Sequence, residues 1–138
     1  MFIDDSLTRK VDSRRRAASQ MLSEDTKGTY GQYMTPRHVA QFMASLFRLQ
    51  SFGDVHLLDA GAGVGSLTAA FVKEVCNRHP HVWQIEVTAY ELDTFLVEFL
   101  QATLEDCAAE CRQSAIAFTS QLVNDDFISA SVEQLTDH

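Results

Sequence analysis

The sequence predicts an α/β fold, half of a doubly wound parallel sheet, with about three strands, flanking helices and a helical arm in front. Three observations predict it. Short apolar runs of strand character alternate with stretches of helical periodicity. A glycine turn, Gly61-Ala62-Gly63-Val64-Gly65, follows the first run directly, and each run ends at an acid: Asp59, Glu91, and the pair Asp125-Asp126.

The elements follow in chain order. From about Ser6 to Ser23 there is no Gly or Pro, and Leu7, Val11, Ala18, Met21 and Leu22 recur loosely at helical intervals, which predicts a helical arm. Residues 1–26 form this arm and 27–138 the domain proper. Between Glu24 and Thr35 the composition turns polar around Gly28, Gly31 and two tyrosines, as a loop does. Thr35-Pro36 then offers a capping hydroxyl and a residue preset for the first helical turn, with Val39, Phe42, Met43, Leu46 and Phe47 as an apolar stripe behind it. That helix is expected to stop near Ser51 to Asp54. Val55-His56-Leu57-Leu58 reads as a buried parallel strand running into the glycine turn. Ser66 to Arg78 is helical, with Leu67, Ala70, Phe71 and Val75 on one face, until His79-Pro80-His81 ends it. Val82 to Tyr90 has the β-branched and aromatic content of a second strand. A long helix over Leu92 to Arg112, a third strand over Ala115 to Val123, a turn at Asn124-Asp125-Asp126-Phe127 and a short helix over Ile128 to Leu135 complete the order.

Composition narrows the function classes. With 46% apolar and 22% charged residues, the chain of 138 residues has the balance of one ordinary globular domain. No apolar run approaches the roughly 20 residues of a membrane span, and the charged start does not resemble a secretory leader, so a cytoplasmic location is expected. Three cysteines without paired spacing argue against a disulfide framework. Cys107 and Cys111, four apart on one helical face, are expected in the core rather than on a metal. The net charge of -8 argues against a self-sufficient DNA-binding module, because grip on phosphates comes from Lys and Arg. The run Arg14-Arg15-Arg16 reads as a solvated helix face, with a phosphate contact as the competing reading. The five histidines show no catalytic or ligand spacing and are expected at the surface or in turns.

In doubly wound sheets ligands lie beyond the carboxyl ends of the strands, where all three acids fall. Glycines let the backbone pass close beneath a ligand, and the following helix turns its N-terminal amides toward it. Glu91 is placed there to accept from ribose hydroxyls. Both NAD and S-adenosylmethionine enzymes use such a turn. Here Ser66 stands where the third glycine of the dinucleotide fingerprint would be, and Asp59 precedes the loop, where a carboxylate repels a pyrophosphate and suits a cationic amino group. The charge argument favours S-adenosylmethionine over NAD. Taken singly, each residue has a plainer reading: Thr35-Pro36 as a helix start, Asp59 or Asp126 as a helix cap, Glu91 as a solvated strand end.

The stretch Gly31-Gln32-Tyr33-Met34-Thr35-Pro36, then a helix, then Leu57-Leu58-Asp59-Ala60-Gly61-Ala62-Gly63-Val64-Gly65, resembles the opening of the gamma-class adenine-specific DNA methyltransferases of restriction-modification systems. In that family a G-Q-[FY]-x-T-P element, motif X, precedes the glycine motif, motif I. Tyr90-Glu91-Leu92-Asp93 resembles motif II and Asp125-Asp126-Phe127 motif III, so the likeness runs from about Lys27 to Phe127. Motifs II and III are weak individually; the ordered set is specific. The resemblance implies a partial Rossmann-like methyltransferase fold with S-adenosylmethionine as cofactor and DNA as partner. It implies that Tyr33 and Thr35 close over the methionine end, that Asp59 with the backbone of Ala60, Gly61 and Gly63 holds the amino acid portion, and that Glu91 takes the ribose. Leu92 would lie against the adenine ring, Asp126 would accept from its amino group, and Phe127 would pack beside it.

The chain also departs from the family. Such enzymes hold the flipped adenine with an N-P-P-Y type tetrapeptide after a fourth strand. This chain has two prolines, Pro36 and Pro80, and they are not adjacent, so no catalytic residue is assigned and the chain alone is expected to be inactive. An unpaired strand edge invites a homodimer or a complementing chain. A stand-alone module binding S-adenosylmethionine or a nucleotide, and a methyltransferase acting on something other than DNA, are the competing classes.

Overall fold

Three strands pair in parallel, in the order in which the chain makes them: β1 (Asp54–Asp59), β2 (Gln84–Tyr90) and β3 (Ala117–Val123). This is a computed structural model, and it describes residues 4–22, 34–49 and 52–136. The helices are α1 (Ser6–Met21), α2 (Arg37–Ser45), α3 (Ser66–Arg78), α4 (Thr94–Gln113) and α5 (Phe127–Thr136). Element types and order agree with the sequence expectation; of the loop expected from Glu24 to Thr35, residues 24–33 lie outside the described residues.

The register puts Val55, Ile85 and Phe118 side by side, then Leu57, Val87 and Ser120, then Asp59, Ala89 and Leu122. Because side chains alternate along a strand, these rows share one face, and that face carries the core. Ile85, Val87 and Ala89 are fully buried there against a cluster that includes Ala69, Val72 and Val75 of α3 and Leu96, Leu100 and Leu104 of α4. Cys107 and Cys111 are buried in the same cluster, as expected of core thiols. Burial pushes the Cys107 thiol well up, so it is chemically quiet.

The opposite face is uncovered among the described residues. It carries His56 and Leu58 of β1, Glu86 and Thr88 of β2 and Thr119 and Gln121 of β3, and Leu58 is 53% exposed. The expectation of a strand buried on both faces is therefore corrected for β1. A four-residue apolar run does not reveal how many of its faces are covered, because Leu58 and Leu57 look alike in sequence while facing opposite ways.

Helix boundaries show two further corrections. The second helix ends at Ser45, well before Ser51, and it begins at Arg37 with Pro36 as its cap residue in an extended conformation. Thr35 does not cap it. The cap comes from elsewhere: Asp12, in the middle of α1, accepts from the backbone N–H of Arg37 at 3.1 Å. Asp12 is 6% exposed and also receives the Arg15 and Arg16 guanidinium groups at 2.8 and 3.2 Å. Arg14 reaches across to Asp106 of α4 at 2.5 Å. The solvated reading therefore holds for Arg16, which is exposed, and is corrected for Arg14 and Arg15, whose charges are half-buried against Asp106 and Asp12.

At the amino ends of the strands, Trp83 N–H donates to Gly53 O at 2.8 Å. Its indole lies so close over Gly53 that a Cβ there would meet Nε1 at 2.6 Å, so this turn needs glycine. No described helix is long and apolar enough to cross a membrane.

Candidate cofactor cleft

The loop between β1 and α3 takes its shape from two glycines with positive φ, Gly63 at 59° and Gly65 at 92°. Gly65 caps α3, and a Cβ on it would lie 2.7 Å from Thr103 Cγ2 of α4, so backbone conformation and packing both demand glycine. The loop is tied to β2 by Ala62 N–H donating to Tyr90 O at 2.9 Å, and it closes on itself through Gly65 N–H to Ala62 O at 2.8 Å.

Glu91 follows β2 and is buried. One carboxylate oxygen accepts from Gly63 N–H at 2.7 Å and the other from Asp93 N–H at 2.8 Å. Asp93 in turn caps α4, accepting from Phe95 N–H at 2.8 Å. One carboxylate therefore joins the glycine loop to the start of the next helix. Each of its oxygens retains a lone pair for a further donor. The third strand end is fixed by Asn124, whose side-chain amide donates to Glu91 O at 2.8 Å and Leu92 O at 3.2 Å. Asp125 accepts from Asp126 N–H, Asp126 accepts from Ser129 Oγ, and the Phe127 ring meets Tyr90 edge-on at 5.2 Å.

These elements enclose a cleft of about 230 Å³ beyond the carboxyl ends of the strands. Of the ten residues expected to form a site, Thr35, Ala60, Gly61, Gly63, Glu91, Leu92, Asp126 and Phe127 line it. Tyr33 lies outside the described residues. Asp59 does not line the cleft: its carboxylate turns beneath the loop, where Thr68 Oγ1 donates to it at 2.7 Å. Burial raises its pKa above the ordinary carboxylate value, against the opposing pull of Thr68 and the Gly61 N–H.

Sequence reasoning passed over Met34, Thr68 and Asn124. Met34 lines the cleft, and its Cγ lies 3.4 Å from where a Cβ of Gly63 would stand. Asn124 sat in a turn beside two acids that drew the attention. Only Thr68 carried a signal: an apolar-faced helix that places a hydroxyl one turn in, near a preceding aspartate.

The cleft suits an adenosine-containing ligand with an amino acid tail. A Cβ on Gly61 would find nothing within 4 Å, so a ligand can approach this backbone closely. The Ser66 hydroxyl at the start of α3 is buried beside the cleft without a hydrogen-bond partner among the described residues. The N-terminal amides of α3 face the same space, a setting that favours a carboxylate. Among the described residues no group of three or more His, Cys, Asp or Glu is placed to hold a metal.

Comparison with known proteins agrees with this geometry. No protein-family model matches the chain. It is 39% identical over 130 residues to the type II methyltransferase M.PstI of Providencia stuartii, a match that covers 94% of this chain and 25% of that protein. It is 32% identical over 127 residues to the type II methyltransferase M.BsuBI of Bacillus subtilis, covering 92% of this chain and 24% of that protein. The chain thus spans about a quarter of the length of the curated relatives it matches. A solved class I S-adenosylmethionine-dependent methyltransferase structure from Listeria monocytogenes superposes with a TM-score of 0.57 at 16% identity, over 91% of this chain and 36% of that one. The chain is therefore a relative of the type II methyltransferases over one quarter of their length, and it has the fold of the class I S-adenosylmethionine-dependent methyltransferases.

Proposed function

We propose that the chain is the S-adenosylmethionine-binding portion of an adenine-specific DNA methyltransferase of a restriction-modification system, working in the cytoplasm and unable to methylate DNA alone. One observation carries the reading. The carboxyl ends of all three strands, the bare backbone of Gly61, and the Glu91 carboxylate converge on a single cleft. Glu91 accepts the ribose hydroxyls with the lone pairs that Gly63 and Asp93 leave open. Leu92 and Phe127 flank the adenine ring, Asp126 accepts from its amino group, and Thr35 closes the methionine end. Asp59 serves from below by holding Thr68 and the Gly61 N–H, not by touching the ligand.

Base chemistry is absent because no pair of adjacent prolines exists to form the tetrapeptide that grips the flipped adenine. The edge of β1 is unpaired among the described residues, and the groove beside it, lined by Met43, Leu46, Phe47, Leu58 and Phe71, suits the remaining polypeptide of such an enzyme. Exposed large apolar residues collected beside an unpaired strand are what such a junction needs.

Calorimetry with S-adenosylmethionine, S-adenosylhomocysteine and NAD tests the cofactor. Micromolar binding of the first two is expected. Glu91→Ala should weaken it by about 100-fold, the loss of two charge-assisted hydrogen bonds at ~1.5 kcal/mol each. Binding of NAD alone would overturn the assignment. Incubation of the chain with DNA and radiolabelled S-adenosylmethionine should leave the DNA unlabelled, and N6-methyladenine formed by this chain alone would refute the inactive reading.

A further inference from the structure

The arm helix α1 contributes no residue to the cleft lining, yet it governs the backbone that does. Arg37 N–H is one of the orphan amides at the start of α2, and Pro36 before it has no N–H to share the load. Asp12 supplies the acceptor from α1. Two more bonds fasten the same junction: the Arg37 guanidinium to Asp5 at 3.0 Å, and Gln41 Nε2 to Thr8 Oγ1 at 3.2 Å. From Arg37 the chain runs back through the fixed φ of Pro36 to Thr35 and Met34, both on the cleft wall, with Met34 packed against Gly63. Only Thr35 and Pro36 separate the Asp12 bond from that contact.

We propose that Asp12 is a positioning residue for the cofactor cleft, holding the Met34–Thr35 wall against the glycine loop by capping α2 from another helix. The inference rests on the cofactor reading above and names a residue outside the cleft that tunes it. The carboxylate is suited to the task. Burial alone would raise its pKa, but the hydrogen bond and charge of Arg15, the Arg37 N–H and the charge of Arg16 hold it below its ordinary value, so it stays an acceptor at neutral pH.

The wall it holds lies on the β1 side of the cleft, whereas Asp126 and Phe127 lie on the β3 side. With Glu91 on the ribose between them, the amino acid tail of the cofactor falls to the Met34–Thr35 side. Loosening α2 should therefore weaken ligands that carry the tail and spare those that lack it.

The test is calorimetry of the wild-type chain, Asp12→Ala and Asp12→Asn with S-adenosylmethionine and with 5′-methylthioadenosine, which has no amino acid tail. Asp12→Ala should lose about tenfold in affinity for the first, equal to ~1.4 kcal/mol, and bind the second as the wild type does. Asp12→Asn keeps an oxygen acceptor for Arg37 N–H and should stay within about threefold of wild type. Equal weakening of both ligands, or of neither, would overturn the proposal in favour of a purely structural Asp12. Should Asp12→Ala not fold, Asp5→Ala loosens the same junction through Arg37 and should give a smaller loss with the same selectivity; its absence would count equally against the proposal. Failure of the wild-type chain to bind either ligand would instead remove the cofactor reading beneath it.

Discussion

The two faces of the three-stranded sheet differ as much as a finished surface differs from an unfinished one. On one face Ile85, Val87 and Ala89 are sealed under α3 and α4. The other shows Leu58 at 53% exposure, with Phe42, Leu46 and Phe47 of the neighbouring α2 region also exposed, and on α5 Ile128, Val132 and Leu135 form a bare stripe at helical spacing. The cofactor cleft sits on the rim and draws its lining from loops anchored to the sealed side. The cleft thus depends on the covered face and not on the open one.

Substituting leucine by alanine on each side should expose this difference most sharply. Leu100 is fully buried beneath Gly65, and Leu100→Ala should cost about 3 kcal/mol of stability in urea denaturation, from lost burial and an unfilled cavity. A cost below about 1 kcal/mol would show that the sealed face is loosely packed. The next effect in size concerns acid. Asp12 has a lowered folded pKa, so its contribution is present above the ordinary carboxylate range and is lost as pH falls through the folded value. Asp12→Asn should accordingly lower the melting midpoint at pH 7 by an amount equivalent to about 1 kcal/mol, and the gap should close in acid. A gap that persists unchanged at low pH would mean that charge is not what Asp12 supplies. Asp59 has the opposite sign: raised by burial, it favours the fold in acid and less so as pH climbs through its folded value. The smallest effect belongs to the open face. Leu58→Ala should change stability by no more than about 0.5 kcal/mol while reducing self-association in light scattering, and a core-sized loss there would mean that the face is covered in solution.

Much of this was legible in the residues. The helix over Ser66–Arg78 declares itself by periodicity and the strand ending at Tyr90 by its β-branched and aromatic content, and the glycine turn marks the rim on which the cleft lies. What escaped has a common cause, since it depended on partners distant in sequence. Thr35 looked like the cap of its own helix because a cap from Asp12, 25 positions earlier, leaves no local pattern. The Asp59 carboxylate could have faced either side of the loop, and only Thr68 folded over it decides. Arg14 looked solvated because its partner Asp106 is remote in the chain.

One feature of the strand entrance bears on how this molecule can be watched. Trp83 is the sole tryptophan, and it leans on Gly53 at the amino-terminal end of the sheet, the thickness of a seven-residue strand, roughly 20 Å, from the cleft. Its emission is thus a gauge of whether β1 and β2 stay zipped at their far end. A ligand settling at the rim leaves that lamp undisturbed, and a titration followed by selectively excited tryptophan emission should read a flat line even at full occupancy.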